Sequence, residues 1–429
     1  VKHFGMRNLR SLFSLSLGFL FTLSLGCDRE PDTHKVSGDV KVRIPRPSEG
    51  GDYHLEEVSL HGIKSLYKLS GDYVTFYIYP TVSSGKLRGY QPKTRFLKSG
   101  DVYVPEDTLS QQLAVIYAHY QNFAALDAEV GAQGINTWPR EVGVEVRYRK
   151  GKSFDENNAF YEGRTDSMLI VPYTQDYLPI PVNAGILAHE YFHSLYFKLV
   201  EKPVFSEAVQ SQNKNLLESL TRFANVESQE AIKPLPGNNV VTPDDYHQVL
   251  SRGLNEGLAD FWAWVYTGDP EFLQNSLPSE KLARNLNISE RDAREFIFPT
   301  SEVWQMEVEN CSRTFRNCAN TRLPYRLGTK YARLLKYYSG LIEKSRGVSA
   351  LEARKIVGAG VIKSLPLFRE ELLKLKTKTD EYFAPVHFFT LLQQAMPDLK
   401  EEEKQFLQEL VKKSDNKVLI VHASKGASR

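Results

Sequence analysis

Residues 73–79 alternate, with Val74, Phe76 and Ile78 on one face and Tyr73, Thr75 and Tyr77 on the other. This is the two-residue period of a half-buried strand. Val142, Val144, Val146 and Tyr148 repeat it, and Ser167–Val171 has the length and apolar content of a short buried strand. Between these lies a different rhythm. Leu109, Leu113, Ile116, Tyr117, Tyr120 and Ala124 recur at helical spacing across 107–130, and Gly131 is placed to end that helix. Beyond about Asn183 helical spacing dominates. It predicts helices over 183–201, 206–226, 243–267, 328–345, 348–364, 380–396 and 400–413. Strands first and helices afterwards predict an α+β fold, with a strand-rich region over 52–104 and a helical C-terminal lobe over 242–429.

Composition narrows the class. The chain has 429 residues, 41% hydrophobic and 25% charged, which suits a globular protein and excludes a disordered chain or a multi-span membrane protein. Its 54 basic and 52 acidic residues give no reason to expect a nucleic-acid partner. The small basic excess is local to the start. Lys2, Arg7 and Arg10 precede the uncharged, mostly apolar run Ser11–Leu25. That run is too short to cross a bilayer comfortably but suits a signal peptide over 1–26.

Gly26-Cys27-Asp28 follows and resembles the bacterial lipoprotein signal, with Ser24 standing where that family usually has Leu. The resemblance implies lipidation at Cys27 and a protein anchored in the bacterial cell envelope, facing the periplasm or the exterior. Residues 27–51, with Pro31, Pro45, Pro47, Gly50 and Gly51, then read as anchor and linker. In an oxidising compartment Cys311 and Cys318 are expected to pair as a disulfide, two free thiols being the alternative.

The strongest chemical signal is His189-Glu190-Tyr191-Phe192-His193. Four residues advance a helix by about 400°, so both imidazoles leave one face and can share a Zn²⁺ ion. Glu190 beside them is placed to serve as general base and acid on a water. A third ligand is expected from Asn255-Glu256-Gly257-Leu258-Ala259-Asp260. Thr242, Pro243 and Asp245 make a helix start, so Glu256 and Asp260 share a face as ligand and as partner of a histidine. His247 points elsewhere and reads as a surface or core histidine.

His189–His193 with the later Asn-Glu-x-x-x-Asp resembles the gluzincins, the zinc peptidases typified by thermolysin. Asn255–Ala259 is also similar to the corresponding helix of aminopeptidase N relatives. Asn157-Asn158-Ala159-Phe160-Tyr161-Glu162-Gly163 is similar to the substrate-edge strand of thermolysin and fungalysin relatives. The resemblance implies a zincin fold, with an N-lobe over 105–202 that carries the metal helix. It also implies one zinc held by His189, His193 and Glu256, with Asn255 and Asp260 behind them. Asn158 and Ala159 would bind the backbone of a peptide or protein substrate.

The sequence departs from the family twice. The metal motifs lie far apart, so 203–241 reads as an insertion, and no His lies between 248 and 386 to stabilise an oxyanion. Pro324-Tyr325-Arg326-Leu327-Gly328 resembles the Pro-Tyr-x-x-Gly of aminopeptidase N relatives, which implies Tyr325 as the donor; Arg322, Arg326 and Tyr331 are alternatives. The expectation is a zinc endopeptidase. Its rivals are a non-catalytic binding lipoprotein on the same fold, and an aminopeptidase with Glu162 as the candidate to hold the substrate amine.

Overall fold

The computed structural model describes residues 33–48, 51–83, 85–147, 149–150, 153–205, 242–314, 322–378 and 381–426. The signal peptide, Cys27, the helix expected over 206–226 and Cys318 lie outside the described residues. Cys311 is buried on the helix Ser301–Thr314. Among the described residues no helix is long and apolar enough to cross a membrane.

The N-terminal part carries two mixed sheets. The first joins β1 (Gly38–Pro47), β2 (Tyr53–Ser65), β3 (Ser70–Gly71), β6 (Phe96–Ser99) and β7 (Val102–Pro105) in the order β3-β2-β1-β7-β6. The second joins β4 (Val74–Ser83), β5 (Lys86–Tyr90), β8 (Arg140–Val144), β11 (Ala159–Glu162) and β12 (Ser167–Ile170) in the order β11-β12-β8-β4-β5. A ribbon of β9 (Arg149–Lys150) and β10 (Ser153–Phe154) stands apart. In the second sheet β4 and β12 run parallel to β8, while the edge strand β11 is antiparallel to β12.

One sequence reading needs correction. The linker expected over 27–51 contains β1, which lies in the middle of the first sheet. Val40, Val42 and Ile44 alternate into the core, and this period outweighs the two prolines that suggested a tether. β7 pairs with β1 only at Lys41 and Val42, so Pro45 and Pro47 fall where β1 has a single neighbour and a missing N–H is tolerated.

Helix α1 (Thr108–Val130) has local stop and start signals at both ends. Asp107 accepts from the Ser110 N–H at 2.7 Å, and Gly131 closes the helix with φ of 78°. It packs on β1, β2 and helix α2 (Ala184–Tyr196). The Asp127 carboxylate is buried there and accepts from the Tyr191 hydroxyl, while its Oδ1 has no partner. Burial pushes Asp127 up to about 7. An unfolded Asp releases its proton near pH 4. Between about pH 4 and 7 the folded chain therefore holds a proton that the unfolded chain has lost, and stability falls as pH rises through that window. Asp127→Asn should consequently raise the melting temperature, relative to wild type, more at about pH 8 than at about pH 4.5. An equal offset at both would contradict this.

The C-terminal part is mainly helical: Pro243–Thr267, Glu290–Glu295, Ser301–Thr314, Arg322–Arg346, Ala350–Leu375, His387–Ala395 and Glu401–Gly426. Thr242 and Asp245 form the expected capping box of the first. The helix expected from 328 starts at Arg322, because Pro324 in the first turn costs no hydrogen bond. The helix expected from 380 starts only at His387, since Pro385 disfavours helical backbone in the residue before it.

Candidate metal centre

Helix α2 is capped by Asn183, whose side chain accepts from the Gly185 and Ile186 N–H groups. Its imidazoles at His189 and His193 converge, with the two Nε2 atoms 3.0 Å apart and the rings nearly perpendicular at 86°. Two nitrogens bound to one tetrahedral zinc at about 2.05 Å would lie about 3.3 Å apart. His189, Glu190 and His193 form a buried group that could hold a metal ion.

The helix Pro243–Thr267 runs antiparallel beside them. Asp260 Oδ1 lies 3.0 Å from His189 Nδ1, and Asn255 Oδ1 lies 2.8 Å from His193 Nδ1. Each imidazole is thus held at Nδ1, which leaves both Nε2 atoms pointing at the same space. Glu256 Oε2 faces that space at 3.4 Å from His189 Nε2 and 4.0 Å from His193 Nε2. It is buried and has no hydrogen bond of good geometry. An orphaned carboxylate oxygen beside two converging imidazole nitrogens is a donor set that fits zinc.

Backbone packing brings the last component in. Gly257 and Gly328 touch where the helices Pro243–Thr267 and Arg322–Arg346 cross. A Cβ at 257 would lie 2.2 Å from the Gly328 carbonyl oxygen, and one at 328 would lie 2.7 Å from the Gly257 nitrogen. Only glycine at both positions permits this approach. Tyr325, one turn before Gly328, therefore lines the same cleft as Glu256.

The electrostatics follow from this crowding. Burial disfavours a charged His189, but the Asp260 and Glu256 carboxylates beside it outweigh that and hold the imidazole up at about 9. Burial and the neighbouring His189 lower His193. Burial, with the Glu256 charge adding to it, pushes Glu190 up to about 7. The negative charge of Glu256 raises Tyr325 and keeps its phenol protonated.

The cleft has a volume of about 390 Å³. Asn158, Ala159, Phe160 and Tyr161 of the β11 edge line it together with His189, Glu190, His193, Glu256 and Tyr325. Asn158 Oδ1 accepts from the Ala159 N–H at 2.9 Å. The Tyr161 N–H donates to Glu190 Oε2 at 3.1 Å.

The alternatives for other roles lie elsewhere. Glu162 is buried at the end of β11, accepting from the N–H and hydroxyl of Thr165, and does not line the cleft. It cannot hold a substrate amine there. Arg326 pairs with Glu307, and the Tyr331 hydroxyl donates to the Pro385 carbonyl in the core. His247 is a core histidine that accepts from the Phe383 N–H.

Two site residues escaped the sequence reading. Arg284 is half-buried, donates from Nε to Asp260 Oδ2 at 3.1 Å and stacks over the Tyr325 ring at 4.8 Å. It sits in a segment of little regular structure, so no periodicity marks it. Glu201 accepts from Asn255 Nδ2 at 3.0 Å and so fixes the amide that faces His193. A π-helical turn, Phe197–Glu201, continues α2 and brings Glu201 there. No protein-family model matches the chain, and no curated protein matches it.

Proposed function

We propose that the chain is a zinc-dependent peptidase on a zincin fold of gluzincin type, exported and anchored to the cell envelope through Cys27. The observation that carries the reading is the convergence of His189 Nε2, His193 Nε2 and the orphaned Glu256 Oε2, with Glu190 at their side. His189, His193 and Glu256 would hold the ion. Zinc bound there would supply a Lewis acid that acidifies water and polarises a carbonyl.

The remaining roles fall to the chain. Asp260 and Asn255 keep the two imidazoles in the tautomer whose Nε2 is free to bind. Glu190 takes a proton from water and returns it to the leaving amine. Tyr325, neutral at physiological pH, can donate to an oxyanion in the cleft, and Arg284 beside it adds positive charge. The β11 edge offers an extended peptide a strand to pair with, through Asn158 and Ala159.

The endopeptidase reading gains over the aminopeptidase one because Glu162 is turned out of the cleft. A purely structural metal would leave Glu190 without a task, which counts against a non-catalytic binding protein.

The test is metal analysis of the purified chain together with cleavage of an unfolded protein substrate. One zinc per chain is expected, with cleavage abolished by a chelator and restored by added zinc. Zinc-free protein, or cleavage that survives removal of the metal, would overturn the reading.

A further inference from the structure

Asp166 lies in the β11–β12 turn with φ of 52°, a conformation that is costly for a residue other than glycine. Its carboxylate gathers three groups from three elements. Arg140 on β8, 4% exposed, donates from Nη1 to Oδ2 at 2.9 Å and from Nη2 to Oδ1 at 2.6 Å. Lys198, on the π turn that continues the metal helix, reaches Oδ2 at 2.7 Å. The Tyr161 hydroxyl, from the cleft edge, donates to Oδ1 at 2.8 Å. Lys198 also donates to Asn136 Oδ1 at 2.8 Å, and Asn136 in turn donates to the Ser194 hydroxyl on the metal helix at 2.9 Å.

Tyr161 therefore bridges two tasks. Its phenol is tied to Asp166, and its backbone N–H is tied to Glu190 Oε2. We propose that Asp166 is a positioning residue, a clamp that acts through Tyr161 to hold the β11 edge at a fixed distance from Glu190 and the metal helix, ready to accept an extended peptide.

The clamp rests on the peptidase reading for its purpose. An edge strand has a partner on one side only and frays unless something restrains it. A peptide that pairs with a frayed edge must also bear the cost of ordering it, and this weakens binding. The strained backbone at Asp166 is the kind of local cost found where a side chain must be aimed. Two cations on one carboxylate make the aim rigid, because moving Asp166 would strand the buried Arg140.

The experiment compares the full wild-type chain with Tyr161→Phe and Asp166→Asn. It measures amide hydrogen exchange over 159–162 and over 184–196, zinc content, and KM and kcat on a peptide substrate. Tyr161→Phe keeps the ring against Phe197, 5.7 Å away, and loses only the hydroxyl. It is expected to retain zinc and to speed exchange over 159–162 by about tenfold, with 184–196 unchanged. KM should rise about fivefold or more, the scale of one lost hydrogen bond, with kcat within about threefold of wild type.

A merely destabilised fold behaves differently: it lowers the active fraction, so kcat falls and KM stays. That pattern, or unchanged exchange over 159–162, overturns the clamp. Should Asp166→Asn fail to fold, Tyr161→Phe alone decides. A wild-type chain that holds no zinc and cleaves nothing defeats the peptidase reading instead, and the exchange result still decides whether Asp166 holds the strand.

Discussion

Glu190→Gln is expected to leave zinc content and fold unchanged and to lower peptide hydrolysis by about 10²–10⁴, the contribution of a positioned general base. The substitution conserves shape and keeps an acceptor for the Tyr161 N–H, which now bonds Glu190 Oε2. It also relieves the burial of a carboxylate that is only 8% exposed and crowded by Glu256, so the fold should not suffer. What it removes is the capacity to take a proton. A structural metal site would not respond at all. The measurement is kcat on a peptide, beside metal analysis of the same preparation. Turnover within about threefold of wild type would remove Glu190 from the mechanism, and with it the main reason to read the cleft as catalytic.

His193→Ala should reduce bound zinc from one per chain to a trace. Zinc should also cease to raise the melting temperature, because an ion that binds only the folded state stabilises in proportion to its affinity. The variant removes one of two converging nitrogens and leaves Asn255 Oδ1 without its imidazole partner. Glu256→Ala is expected to act in the same direction. Asp260 is a poor substitute as ligand, since its Oδ1 is taken by His189 Nδ1 and its Oδ2 by Arg284. If Glu256→Ala retained full zinc while Asp260→Ala lost it, the ligand assignment would pass to Asp260. Undiminished zinc in His193→Ala would sink the site altogether.

The linker and β1 show how local signals compete. Prolines at 45 and 47 argue for a tether, and the alternation of Val40, Val42 and Ile44 argues for a strand. Only the partners settle the contest, because β7 stops pairing before the prolines begin. Asp107 with Gly131, and Thr242 with Asp245, are cases of the opposite kind. Each pair lies in or beside the helix it bounds, so the ends of α1 and the start of Pro243–Thr267 were legible residue by residue.

The sequence by itself determined the α+β order, the helix that turns His189 and His193 to one side, and the helix that turns Glu256 and Asp260 to one side. These follow from a 3.6-residue period and from capping chemistry, both of which act over a few neighbours. Tertiary structure decided that the two helices face each other, that Gly257 and Gly328 bring Tyr325 to the same cleft, and that Glu162 is turned away from it. It also decided the supporting cast. Arg284 meets Asp260 across 24 residues, Glu201 meets Asn255 across 54, and Lys198 meets Asp166 through a π-helical turn that no periodicity announces. A buried charge is satisfied by whatever opposite charge the fold delivers, and that delivery depends on packing between distant elements rather than on any spacing along the chain.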